Sequence, residues 1–299
     1  MAELNQRSEL ITEVSSELKK GTTYDTTRIP VWLTMAEDWI DRNLRIAIME
    51  QHVTLRLEGN NALSSVAGTD TITGTAATTI TSAAYGDTHS LSPAANNTGA
   101  ATLNIDGQGA VALEKYRDGE VNALEANDLV AGGTFYAFHD GTRYVLSPVG
   151  GVPLPSRFLG LKRIHVQGAP VRKLNVESPV NFWSFYLGSE TGKPKAVTVE
   201  GNFMVFGPHA DATYQANLLY WRGFSRLTSD AHTNWLLSNA RGVYLHGILV
   251  EAYHFFGDQP KMMRHAALRD QILQDLHFED RERRYSGDGL IMRSDVNPV

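Results

Sequence analysis

The sequence predicts an α+β fold, in which a helical-bundle core with a small set of strands carries an inserted all-β, sandwich-like domain. Two observations support this prediction. Helical periodicity occurs near both ends of the 299-residue chain, and short strand-like segments of different composition fill its middle. With 42% hydrophobic and 20% charged residues, the chain has the composition of a globular protein with a sizeable core.

Two helices and a strand are predicted within residues 1–65. Apolar residues at helical spacing define the first helix, which Gly21 is placed to end. For the second helix, Thr26 and Thr27 are candidate N-caps and Pro30 suits the first turn. Its apolar face is predicted to comprise Trp32, Met35, Trp39 and Ile46. Apolar and polar residues then alternate through 53–58, which is the pattern of a strand.

The segment 66–149 is predicted to be the inserted β domain. Its candidate strands are 70–75, 78–83, 101–105, 111–116, 133–139 and 142–146. Asp140 and Gly141 favour a hairpin between the last two, because both residue types tolerate a turn with positive φ. The segment contains nine acidic and three basic residues, whereas 24 of each lie outside it. The whole net charge of −6 therefore falls on the insert.

Residues 150–285 are predicted to resume the core, first with strands and then with helices. The segment 243–256 is too apolar for a surface helix and indicates a central one. Pro260 is placed to open the last helix, and residues 286–299 are predicted to be a C-terminal arm. Because the terminal helices must bury their apolar faces, we expect 1–65 and 150–285 to form one discontinuous core.

The sequence shows no pattern typical of a catalytic site. Cysteine is absent, and His246 and His254 are eight residues apart, which is not the spacing of a helical zinc pair. Gly192-Lys193-Pro194 fails as a phosphate-binding loop, since proline cannot continue into a helix. We therefore predict no enzyme activity, no catalytic residue, no metal site and no cofactor. No apolar run reaches the ~18 residues that span a bilayer.

The third region resembles the head-to-tail adaptor (connector) proteins of tailed bacteriophages. The resemblance rests on the order of several short runs, namely 154–163 (LPSRFLGLKR), 192–199 (GKPKAVTV), 201–208 (GNFMVFGP), 214–220 and 233–237 (TNWLL). Typical members pass from the early strand to "LP" through a short loop, whereas here the β segment intervenes. That segment is similar to modules of phage fibre and tail proteins.

The resemblance implies a homododecameric ring at the virion neck, docked beneath the portal protein and around the DNA exit channel. Its far face would receive the tail nozzle or tail tube, and genomic DNA would pass without sequence-specific binding. The protein would assemble in the host cytoplasm, with no membrane partner. The C-terminal arm would reach the portal, which gives the candidate portal-binding residues Arg281, Arg283, Arg284, Tyr285, Leu290, Ile291 and Met292. Interleaved acids favour a different interpretation of the arginines, a salt-bridged and exposed helix end.

The role of the insert stays open between two possibilities. An acidic domain beside DNA is electrostatically unfavourable, so we expect it on the outside of the ring, as a tail-fibre attachment point or as a passive decoration. The alternative function is a carbohydrate- or receptor-binding module on a helical oligomerisation core. Exposed tryptophan would support that alternative, but the insert has none, and its six tyrosines and phenylalanines are expected in its core.

Overall fold

A computed structural model describes residues 6–19, 27–57, 61–147, 151–168, 171–186 and 190–285. The chain divides into two compact units. The helical unit combines residues 1–50 with residues 221–299, and the β unit is residues 51–220. The predicted limits of the insert, 66 and 149, lie inside the β unit and stay a prediction.

The described residues form six α-helices, a short 3-10 helix at Ala47–Met49 and seventeen strands. The helices are α1 (Arg7–Leu18), α2 (Ile29–Asn43), α3 (Pro179–Phe185), α4 (Trp235–Asn239), α5 (Arg241–Phe256) and α6 (Gln259–Tyr285). The first ten strands are β1 (Glu50–Leu57), β2 (Asn61–Ala62), β3 (Ser64–Ala67), β4 (Thr71–Thr75), β5 (Thr88–Leu91), β6 (Ala101–Ile105), β7 (Val111–Arg117), β8 (Glu120–Ala123), β9 (Phe135–His139) and β10 (Tyr144–Ser147). The remainder are β11 (Val152–Pro153), β12 (Phe158–Val166), β13 (Arg172–Lys173), β14 (Asn175–Val176), β15 (Ala196–Glu200), β16 (Phe203–Gly207) and β17 (Tyr214–Arg222). The predicted α+β class is confirmed.

Helix α5 is the centre of the helical unit and contacts α1, α2, α4 and α6. Its buried residues lie on several faces, as predicted for a central helix, and are Val243, Tyr244, Gly247, Ile248, Leu249, Ala252 and Tyr253. Gly247 permits a close approach to α2, because a Cβ there would lie 3.0 Å from the Cβ of Ala36. Gly257, at φ 73°, ends the helix in the left-handed conformation.

Helices α1 and α2 each bury one face. In α2, Trp32 is buried and Trp39 is half-buried under the guanidinium of Arg269, 3.5 Å from its ring centroid. Three details of the prediction are wrong. Met35 is 47% exposed and lies off the buried face, and Arg28, not a threonine, occupies the N-cap of α2. Ile46 is buried but lies beyond the end of α2, directly before the 3-10 helix.

Strands β2 to β10 form one nearly closed, barrel-like sheet in the order β2-β5-β9-β10-β7-β6-β4-β3, with β8 paired to β7. The two ends of this order belong to one run, 61–67, in which β2 pairs with β5 and β3 pairs with β4. The sheet therefore closes on itself, which removes the open edges that invite aggregation. The segment that was expected to be sandwich-like therefore forms a barrel-like sheet. Its core includes Leu103, Leu113, Leu129 and Tyr144.

Asp-Gly pairs make the tight turns of the barrel. Asp118 and Gly119, at φ 54° and 83°, join the paired ends of β7 and β8, which is the geometry of a type I′ hairpin. The predicted hairpin is confirmed, since β9 and β10 are antiparallel, but its turn spans residues 140–143 and only Gly141 of the Asp-Gly pair has a positive φ (100°). The Asp140 N–H donates to the Arg143 carbonyl at 3.0 Å.

The aspartates of the barrel are largely structural. Five of them accept backbone N–H groups of nearby loops: Asp70 from Thr98, Asp87 from Ala84, Asp106 from Ala76 and Ile80, Asp128 from Glu125, and Asp140 from Thr142 and Arg143. The three basic residues pair with acids, Lys115 with Asp128, Arg117 with Glu125 and Arg143 with Glu114. The negative charge of the segment therefore arises in part because its long loops need acceptors.

Two four-stranded sheets complete the β unit, in the orders β1-β17-β12-β13 and β11-β16-β15-β14. Some side chains of the barrel-like sheet pack into the hydrophobic core of these two small sheets. Phe138 belongs to the same buried cluster as Leu55 and Met204, and the Tyr116 ring meets the Phe203 ring edge to face at 5.4 Å. The expectation that all barrel aromatics fill the barrel is therefore wrong, since these two pack against the small sheets.

Several elements differ from the sequence prediction. The expected strand 78–83 is irregular, because the Ile80 N–H donates to the Asp106 carboxylate (2.9 Å) rather than to a neighbouring strand. Strands β2, β3, β5 and β8 and helix α3 were not predicted. The predicted arm, 286–299, lies outside the described residues.

We expect Gly207→Ala to destabilise the β unit. An added Cβ would lie 2.7 Å from ring atoms of Tyr186 and 2.8 Å from the ring of Phe182, which is itself buried. Overpacking of this kind costs about 1–3 kcal/mol, measured as a lower midpoint in urea unfolding. The matched control is Gly99→Ala, where a Cβ would meet nothing within 4 Å and φ is not positive. Equal midpoints for the two variants would contradict the packing described here.

Candidate functional site

Four of the candidate portal-binding residues lie in the last turns of α6, namely Arg281, Arg283, Arg284 and Tyr285. The side chains of Arg281 and Arg283 are exposed, and that of Arg284 is held by other groups of the helical unit. Leu290, Ile291 and Met292 lie outside the described residues. The three candidate arginines therefore lie together at one end of α6, whereas the three apolar candidates are not among the described residues.

Arg284 anchors the end of α6. Its guanidinium lies 2.6 Å from a carboxylate oxygen of Glu50, 2.8 Å from Asp280 one turn back, and 5.7 Å from the ring centroid of Trp221. Asp280 also accepts the Ala47 N–H at 2.6 Å. These contacts fix the last turns of the helix to the segment 47–50, so the position of the end of α6 is defined.

A buried carboxylate organises another loop of the helical unit. Glu37, only 6% exposed on α2, accepts the Leu227 N–H at 2.9 Å and lies 3.5 Å from Arg226. Arg226 also bonds to Asp38 at 2.5 Å, and the pKa of Arg226 is raised chiefly by that bond. The loop after β17 is therefore held to α2. Sequence reasoning missed this contact, because the partners are about 190 residues apart and follow no motif.

His246 of α5 and His265 of α6 meet between the two helices. The Nδ1 atoms of His246 and His265 are 3.1 Å apart, and the ring of Tyr253 stacks on His265 at 5.4 Å. Burial lowers the pKa of both histidines, which favours the neutral forms that share one hydrogen bond. Among the described residues, no group of three or more His, Asp or Glu side chains is arranged to hold a metal ion.

Four of the five most exposed large apolar side chains of the described residues cluster in sequence. Val171, Val176, Val180 and Phe185, in and around β14 and α3, are between 60% and 78% exposed. Exposed apolar residues that gather in one segment are typical of a protein contact surface. In the part of the chain that the structure describes, no helix is long and apolar enough to cross a membrane.

Comparison with known proteins gives one result. A family model described as SU10 adaptor protein matches residues 128–293, more than half of the chain. The match starts inside the predicted insert, includes β9 to β17 and extends beyond the end of α6. No curated protein matches the chain.

We expect the two neighbouring arginines of α6 to differ in their structural role. Arg284→Ala removes contacts with Glu50, Asp280 and Trp221, and it should lower the free energy of unfolding by about 1 kcal/mol, since the pairs are partly exposed. Arg281→Ala, at an exposed position, should change it by no more than about 0.5 kcal/mol. Urea unfolding of both variants measures the difference. If Arg281→Ala is the more destabilising variant, the anchoring role of Arg284 is wrong.

Proposed function

The chain belongs to the SU10 adaptor protein family, and from this membership we propose that it is a structural protein of the phage neck that forms a ring between portal and tail. The family match over 128–293 is the observation that carries the proposal. The role is one of binding geometry, without catalysis, and a ring of twelve copies would surround the channel through which genomic DNA passes.

The helical unit supports the portal side of this proposal. Helix α6 is 27 residues long, or about 40 Å at 1.5 Å per residue. Its end is fixed by Arg284 and Asp280, so residues 286–299 leave from a defined position. We propose that Arg281, Arg283 and Tyr285, with Leu290, Ile291 and Met292 beyond the helix, contact the portal. Arg284 would position them and not bind the partner itself.

The barrel would lie on the outer circumference of the ring. Part of its negative charge is neutralised by internal pairs, but Asp118 and Glu120 are exposed and would be repelled by DNA in every copy. An outward barrel is free to hold a tail fibre, and the exposed apolar side chains of Val171, Val176, Val180 and Phe185 are then available for contacts with the tail or with neighbouring copies.

The proposal is tested by mixing the purified protein with the portal of the same phage and viewing the product by negative-stain electron microscopy. We expect an added ring of density on one face of the portal. A variant that ends at Tyr285 should lose this ring, because the proposed arm is missing. A variant in which a Gly/Ser linker replaces residues 61–147 should retain it.

One control is needed for this comparison. Circular dichroism must show that both variants are folded, since removal of the barrel uncovers Phe203. Intact portals that never acquire a ring from the wild-type protein would overturn the adaptor role. If the variant that ends at Tyr285 still forms the ring, the assignment of the arm to portal binding is wrong. If the variant without residues 61–147 fails to form the ring, the outward position of the barrel is wrong.

A further inference from the structure

The start of helix α6 has one buried attachment to the rest of the helical unit. Of residues 259–266, which form its first two turns, only His265 is buried. The later part of the helix is held differently, since Arg269 is buried and Asp280 and Arg284 fix the far end. The first two turns therefore depend on the contacts of a single imidazole.

The partner of His265 is a second imidazole. Its Nδ1 atom lies 3.1 Å from the Nδ1 atom of His246 on α5, and its ring stacks on that of Tyr253 with the ring centroids 5.4 Å apart. A hydrogen bond between two such nitrogens needs one N–H and one lone pair, so only one of the two Nδ1 atoms can carry a proton. If both imidazoles are protonated, two N–H groups and two positive charges oppose each other at this distance. The contact is therefore incompatible with a doubly protonated pair.

Charged side chains of the neighbouring helices lie around the two histidines. Burial is the largest cause of the lowered pKa of both imidazoles, and Arg264 and Lys261 of α6 act in the same direction. Glu13 and Glu17 of α1 favour protonation, but Glu13 is paired with Arg241 at 2.6 Å. Because each pKa is lowered, the folded chain binds fewer protons than the unfolded chain below pH 6.5, the ordinary histidine value. The contact therefore loses stability as the pH falls below that value.

We propose that the pair His246–His265 is an acid-sensitive clasp between α5 and α6. Protonation of both imidazoles opens the clasp and releases residues 259–266 from α5. The later turns stay attached, because Arg269 lies over the ring of Trp39 at 3.5 Å and the far end of the helix is fixed. This inference goes beyond the neck role and does not rest on it, since it concerns one helix contact within a single chain.

The test is hydrogen–deuterium exchange of the full-length protein, read by mass spectrometry at about pH 7.5 and about pH 5, on either side of the ordinary histidine pKa. Protection factors are compared, because they remove the intrinsic effect of pH on exchange. In the wild type we expect the protection of 259–266 to fall at least about tenfold at the lower pH, which is the effect of one pKa unit in one histidine. The protection of 270–284 should change less.

Two variants identify the sensor. His246→Asn keeps a group that accepts a hydrogen bond from protonated His265 but cannot itself be protonated, so the fall should shrink to about threefold or less. The matched control, His254→Asn, makes the same change at an exposed position of α5 and should keep the wild-type fall.

The comparison of the two segments needs only the wild type, so the test holds even if His246→Asn fails to fold. The proposal is overturned if 259–266 keeps its protection at the lower pH, or if 270–284 loses as much, because acid would then loosen the whole helix. It is also overturned if His246→Asn keeps the full fall, or if His254→Asn abolishes it. None of these readings involves the portal, so failure of the neck role and failure of the clasp are distinguishable.

Discussion

Helix α5 imposes the constraint on which the organisation of this chain depends. It buries residues on several faces, so one neighbouring helix cannot cover it. Helices α1 and α2 from the start of the chain and α4 and α6 from its end provide the cover. The two end segments of the chain must therefore pack together in one unit. Residues 51–220 form a continuous segment in the sequence between them.

Within residues 51–220, the loops of the barrel account for the positions of many of its aspartates. Long connections leave backbone N–H groups without strand partners, and aspartates satisfy many of them, as Asp106 does for Ala76 and Ile80. Some of the acidic residues of this segment therefore serve as internal hydrogen-bond acceptors and do not contribute to a charged surface. The repulsion from DNA that favours an outward barrel rests on exposed acids such as Asp118 and Glu120.

The sequence predicted long periodic elements well and short polar ones poorly. Helices α2, α5 and α6 have apolar residues at helical spacing over many turns, so they were found with nearly correct ends. Strand β5 was missed because it buries His89 and Ser90, which look like loop residues, and α3 was missed because it exposes Val180 and Phe185. For β5, pairing with β2 and β9 decided the case, and periodicity does not record such tertiary hydrogen bonds.

The candidate site shows the same limit. Charges interleaved at 279–284 indicated a salt-bridged helix end, and the Arg284–Asp280 pair agrees with that interpretation. Glu50, the other partner of Arg284, is more than 230 residues away and could not be predicted. The contact between His246 and His265 was missed because the two residues lie in different helices and their spacing follows no motif.

The central proposal for this protein is its position in the virion, between the portal and the tail. The most direct measurement is a cryo-electron microscopy reconstruction of the neck of intact virions of the phage that encodes this chain. The account predicts a closed ring directly beneath the portal into which both units fit, with α6 directed to the portal. Density for the chain elsewhere in the particle, or its absence from the neck, would contradict the account.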